Sequence, residues 1–177
     1  MYCTDDTCLK AQKKMVVNEI PIPEAGENQF LVKMASASLC HSDMMAIEAP
    51  RDKPVTIGHE GVGYVAKLHP SAVGKGFKEG DAVGFLYIIG CCFECEGCQI
   101  HNLSCSSGKQ LLQGFTTDGF FAEYAVVDYR NAIILPSSLD VKTASPIFCA
   151  GITGENTTRR KRTLLTFQPS TLSTQVN

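Results

Sequence analysis

Five of the chain's nine cysteines fall within the fifteen residues from Cys91 to Cys105, "CCFECEGCQIHNLSC". Four of them, Cys92, Cys95, Cys98 and Cys105, form the spacing CxxCxxCx6C and leave Cys91 over. Four thiolates on one compact loop can close around a tetrahedral Zn²⁺ without help from the rest of the fold, and such a shell leaves no vertex for substrate. The expected role is therefore structural, since metal binding worth about 10–16 kcal/mol in small zinc modules would hold such a loop rigid. Two other chemistries fit less well. A redox CxxC pair would use one dithiol rather than three consecutive spacings. A DNA-reading finger would need a basic helix after the thiolates, whereas Glu94 and Glu96 lie among them.

A second set of candidate ligands is dispersed along the chain. Leu39-Cys40-His41-Ser42-Asp43, Gly58-His59-Glu60-Gly61 and Phe148-Cys149-Ala150-Gly151 each place a soft or borderline ligand beside a small or acidic residue. Cys40, His59 and Cys149 would make a Cys₂His set, and three protein ligands leave the fourth position for water or substrate, as a catalytic zinc requires. Taken singly, a buried cysteine or a GHEG turn is more often packing than chemistry, so the three carry weight only together.

Short apolar or alternating runs must position these residues: FLVKMASA (30–37), GVGYVAKL (61–68), DAVGFLYII (81–89), GFFAEYAVV (119–127) and NAIILP (131–136). Glycine and proline turns separate them, and no helical period persists over fifteen residues, so the chain reads as mainly β, a barrel or partly open sandwich with a mainly antiparallel sheet. At 177 residues and a formal charge of −2 it is sized for one domain and has no basic field for nucleic acid or anionic lipid. The start lacks a secretory apolar run and no stretch reads as a membrane span, which points to the cytoplasm; nine cysteines in a reducing compartment favour metal over disulfides, with Cys3 and Cys8 as isolated thiols. From Glu155 onward the sequence turns polar and basic, and residues 155–177 are expected to be disordered. The run Arg159-Arg160-Lys161-Arg162 reads chiefly as solvated, and no nucleic-acid or membrane partner is expected.

The segments CHSD, GHEGVG, CxxCxxCx6C, DGFFAEYAVV and ASPIFCAGIT occur in the same order as in the zinc-dependent alcohol dehydrogenases of the medium-chain family, and over residues 11–154 the chain resembles that family. The resemblance implies a GroES-like, partly open β-barrel catalytic domain over residues 1–154, with 91–105 as its structural-zinc lobe and two Zn²⁺ in all. It implies that Cys40, His59 and Cys149 hold the catalytic zinc, that Glu60 sits behind the metal as an occasional ligand, and that Asp43 fixes the tautomer of the zinc-binding histidine. The implied reaction is reversible oxidation of a small alcohol to an aldehyde or ketone, with hydride passing to NAD or NADP. Ser42 would accept the hydroxyl proton, His41 would approach the cofactor pyrophosphate and Thr153 the nicotinamide. Tyr87 and Ile88 match substrate-pocket walls, a position that strand packing explains equally well.

Departures from the family accompany the match. No GxGxxG turn or βαβ pattern follows Thr153, so the chain reads as truncated before the Rossmann domain, with a non-family tail and little expected activity alone. The alternative reading is a noncatalytic zinc-binding or interaction module, associating with itself or with a full-length relative through the face left open. Met45 stands where some members carry a relay histidine, so the proton path would end at solvent beyond Ser42. His69 stands where glycine is expected, so its side chain would strain the turn; otherwise it and His101 read as solvated loop histidines.

Overall fold

The structure is a computed structural model that describes residues 15–50 and 53–155. Cys3, Cys8, the basic run at 159–162 and the tail beyond 155, with the disorder expected of it, lie outside the described residues. Within them, β1 (Gln29–Ser38), β2 (Glu60–Leu68), β3 (Ala82–Phe85), β6 (Tyr124–Asp128) and β7 (Ala132–Ile134) form one antiparallel sheet in the order β6-β1-β2-β3-β7. The outer strands do not pair with each other, so the barrel stays partly open. A separate antiparallel pair, β4 (Ile88–Ile89) and β5 (Leu111–Leu112), carries the cysteine loop between its strands. Helices are short: α1 (His41–Glu48) and α2 (Glu96–Ile100), with 3₁₀ turns between strands. No helix among the described residues is long and apolar enough to cross a membrane.

Alternation drives the sheet. In β1, Phe30 and Val32 turn inward and are fully buried, while Lys33 between Val32 and Met34 faces solvent. They join Val65, Val83, Phe85, Phe120, Ala125 and Val127 in the main core, where the Phe85 and Phe120 rings meet edge-on with centroids 4.9 Å apart. A second cluster of Val62, Leu135, Ala144 and Phe148 packs the 3₁₀ turn Ser145–Phe148 against the sheet and so brings in the residue after it, Cys149.

Two runs read as single strands are interrupted. The 81–89 run breaks at Leu86 and Tyr87: the Leu86 N–H still bonds the Asn131 carbonyl in the β3–β7 register, but the Tyr87 carbonyl accepts from Gln113 in the register of β4 and β5, which takes the chain out of the large sheet. In the 119–127 run, the residues Gly119, Phe120 and Phe121 instead donate to Thr56, Gly58 and Ile57, and the strand begins only at Tyr124. His69 does not strain its turn: its φ is −67°, which any residue adopts, and Nδ1 accepts from the Ser71 N–H at 3.2 Å to cap a 3₁₀ turn. His101 does the same for Leu103 at 3.1 Å while its side chain stays exposed, so it is a solvated loop histidine that also caps a turn.

Gly84 shows how closely the sheet and the Cys149 segment are fitted. A Cβ on this β3 residue would enter the Phe148 ring. Gly84→Ala is therefore expected to lower stability by about 1–3 kcal/mol in denaturant unfolding, through overpacking against a buried ring.

Candidate metal centres

Asp43 organises the first centre. It lies at the start of α1, is fully buried, and accepts the Cys40 N–H with one carboxylate oxygen and the His59 ring with the other, each at 2.8 Å. A carboxylate oxygen accepts, so Nδ1 of His59 carries the hydrogen and Nε2 presents its lone pair. That Nε2 is buried and has no hydrogen-bond partner. The backbone delivering His59 turns at Gly58, whose φ of +95° and contact with the Phe121 ring, 2.5 Å from any added Cβ, admit only glycine.

Cys149 follows the 3₁₀ turn packed on β2, and Glu60 opens β2 itself. The sulfurs of Cys40 and Cys149, a nitrogen of His59 and a carboxylate oxygen of Glu60 all lie within 4.8 Å of one another. The Glu60 carboxylate is anchored from behind, accepting the Ala150 N–H at 3.3 Å and the Ser38 hydroxyl. Burial, then the neighbouring Cys40 and Glu60, push the Cys149 thiol up to about 12. Two thiols, an unpartnered imidazole nitrogen and a nearby carboxylate, gathered in so small a space, fit a borderline-soft dication.

Aromatic rings close one side of this centre. Tyr87 meets the His59 ring edge-on at 5.2 Å and Phe115 lies 4.9 Å from it, with 5.7 Å between the two aromatics. Burial, then Cys149 and Cys40, raise the Tyr87 phenol above its ordinary value. Phe115 was not singled out in the sequence, for it stands in the turn QGFTT with no spacing that ties it to a ligand. Ile88 is buried in the cysteine lobe against Cys91 and Cys105. Ser42 is half-buried in the first turn of α1 and His41 is exposed at its start. Met45 is exposed on the same helix. Thr153 is exposed and its hydroxyl donates to the Cys149 carbonyl at 2.8 Å.

The second centre is local. The sulfurs of Cys92, Cys95, Cys98 and Cys105 lie within 4.8 Å of one another, with 3.6 Å between Cys105 and Cys92 and 3.9 Å between Cys92 and Cys98. Backbone N–H groups of Cys98 and Ser106 point at the Cys95 sulfur, each at 3.4 Å, and that of Cys92 at the Cys105 sulfur at 3.5 Å. Hydrogen bonding from Ser106 brings Cys95 down to about 5 and bonding from Ser107 brings Cys105 to about 7, while desolvation pushes Cys98 up to about 12. Four sulfurs this close cannot all ionise without a cation among them, and their tetrahedral number and softness suit zinc. Cys91 is not in the set. It is buried beside it, its thiol pushed up to about 11 by burial first and Cys105 next, and no described cysteine forms a disulfide.

A partly open β-barrel thus carries two clusters of donor atoms, a four-thiol loop and a mixed thiol, imidazole and carboxylate set, each of which could hold a metal ion. Residues 26–137 match the alcohol dehydrogenase GroES-like domain, and the chain belongs to that family. It is 38% identical over 145 residues to an alcohol dehydrogenase of Rhizobium meliloti (strain 1021), a match covering 80% of this chain and 42% of that protein. Among solved structures it is similar to galactitol-1-phosphate dehydrogenase from Escherichia coli, with a TM-score of 0.67 and 32% identity over 77% of this chain and 39% of that one. It is also similar to a cinnamyl alcohol dehydrogenase from Sorghum bicolor, with a TM-score of 0.73 and 26% identity over 86% of this chain and 46% of that one. The chain thus spans less than half the length of each of these relatives.

Two substitutions probe the centres separately. Cys98→Ser is expected to lower the zinc bound per chain, read by elemental analysis, and to open the 91–105 loop to protease. Asp43→Ala is expected to weaken metal binding at the Cys40 cluster by about 10–100-fold in chelator competition, because the imidazole loses the partner that fixes its tautomer.

Proposed function

We propose that the chain is the metal-binding catalytic half of a zinc- and NAD(P)-dependent alcohol dehydrogenase, acting reversibly between small alcohols and aldehydes or ketones. The supporting observation is the gathering of Cys40, His59, Glu60 and Cys149 donor atoms within 4.8 Å, with His59 Nε2 buried and unpartnered. In this reading Cys40, His59 and Cys149 hold a catalytic zinc and Cys92, Cys95, Cys98 and Cys105 a structural one. When bound, the first zinc supplies Lewis acidity that brings a hydroxyl pKa toward neutrality.

The chain's own residues do the rest. Asp43 keeps the hydrogen of His59 on Nδ1, so that Nε2 stays available as a ligand. Glu60, held by Ser38 and Ala150, keeps a carboxylate beside the ligand set as an occasional ligand. Ser42 accepts the alcohol proton and passes it to solvent, because Met45, one turn along the same helix, has no proton to relay. Tyr87 and Phe115 wall the substrate and exclude water around the reacting carbon. His41, at the exposed start of α1, is assigned the cofactor pyrophosphate, where the helix terminus favours an anion, and Thr153 the nicotinamide.

Residues 1–154 form the catalytic domain in this scheme, completed by a dinucleotide-binding domain. Hydride transfer needs the reacting atoms within about 3.5 Å. The sequence contains no GxGxxG turn to seat the cofactor, so the 177-residue chain alone is inferred to turn over little.

Cobalt substitution tests the reading. Small alcohols or aldehydes are expected to shift the visible bands of the open centre and leave those of the four-sulfur centre in place. Bands indifferent to every alcohol and aldehyde tried, or a single metal equivalent per chain, would overturn it. With NAD or NADP and a primary alcohol, little reduced cofactor is expected, and robust turnover would contradict that part.

A further inference from the structure

The cysteine loop joins the barrel through contacts that converge on one pair of amides. Asn102, in the loop's 3₁₀ turn, donates from Nδ2 to Asn131 Oδ1 at 2.5 Å. Asn131 is buried; its own Nδ2 donates to the Ile88 carbonyl at 2.6 Å, and its backbone carbonyl accepts from the Leu86 N–H at 3.0 Å. These two bonds grip the residues on either side of Tyr87.

The surroundings reinforce the junction. The Arg130 guanidinium lies over the Phe93 ring at 4.1 Å and is itself held by Asp128 at 2.6 and 2.9 Å, so the residue next to Asn131 also clasps the loop. Cys91 donates its thiol to the Asn102 carbonyl at 3.4 Å from within the lobe. Tyr87 packs against both the main barrel core and the lobe's own cluster of Ile88, Cys91 and Cys105. It is therefore the ring shared between the loop that four sulfurs organise and the centre that contains His59. Its backbone leaves the β3 ladder and joins the small sheet instead, with its carbonyl accepting the Gln113 N–H at 2.8 Å.

We propose that Asn131, tied to the loop by Asn102, is a positioning residue that transmits the order of the cysteine loop to Tyr87, so that the four-thiol centre sets the aromatic wall of the His59 centre. A buried amide engaged at both ends of its side chain has one orientation, and releasing its Oδ1 leaves it held at the Ile88 end alone, where it can tilt and carry Ile88 with it. Only the role of Tyr87 as a substrate wall rests on the proposed function; the coupling itself does not.

The test follows Tyr87 directly. The zinc-loaded chain is labelled with 3-fluorotyrosine, and the Tyr87 fluorine resonance is assigned by its loss in Tyr87→Phe. Asn102→Ala, at a half-buried position, is expected to shift and broaden that resonance. Zinc content stays unchanged, and so do Tyr64 on β2 and Tyr124 on β6. Asn131→Asp keeps an acceptor for Asn102 but loses the donor to Ile88, and is expected to reproduce the shift while the loop stays closed. Cys98→Ser should move the resonance in the same direction, and combining it with Asn102→Ala should add little, because both act along one route. An unmoved Tyr87 resonance in Asn102→Ala and Asn131→Asp overturns the proposal, as does full additivity with Cys98→Ser. The cobalt bands report separately on alcohol binding, so failure of the coupling and failure of the proposed function are distinguishable.

Discussion

One buried carboxylate holds the open centre together. Asp43 receives the backbone N–H of Cys40 with one oxygen and the ring N–H of His59 with the other. It thereby fixes the start of α1, the direction of the histidine and the distance between two candidate ligands in a single interaction. A fully buried carboxyl group is costly unless its hydrogen bonds are satisfied, and here the two donors that satisfy it are the residues it positions. The five-stranded sheet serves this arrangement by bringing the end of β1, the start of β2 and the turn before Cys149 to one place.

The two centres are built on opposite principles. The four-sulfur loop draws all its donors from fourteen consecutive positions and its geometry from local N–H groups directed at sulfur. The open centre draws its donors from three segments that meet only when the sheet forms, and its fit depends on tight contacts such as Gly84 on Phe148 and Gly58 on Phe121. Tyr87 lies between them because the chain leaves the large sheet just before it and enters the small one just after.

Much of this was legible in the residues. CxxCxxCx6C is a local spacing, and the structure brings its four sulfurs together. Cys40, His59 and Cys149 are also brought together, but spacing alone could not have done that: it took the joint presence of three short segments and a family resemblance. Strand positions followed from alternation, except where backbone partners outside the main ladder intervened at Tyr87 and at Gly119. Phe115, Asn102 and Asn131 escaped notice because an aromatic in a turn and an amide in a loop have no periodicity, and their roles arise from contacts between residues far apart in sequence. His69 and His101 looked like spare side chains, since capping depends on local backbone angles that composition does not reveal.

The placement of the ligands also orders events in time. Contacts close in sequence form before distant ones, because each distant contact must first overcome the entropy of closing a long loop. On a chain emerging from the ribosome, the cysteine loop is complete once Cys105 is clear, and can trap its ion while the barrel is unfinished. The cluster around His59 has to wait for Cys149, by which point nearly all of the sheet has been made. The two candidate sites thus become complete at different times, so a shortage of metal late in synthesis would bear on the His59 cluster rather than on the cysteine loop.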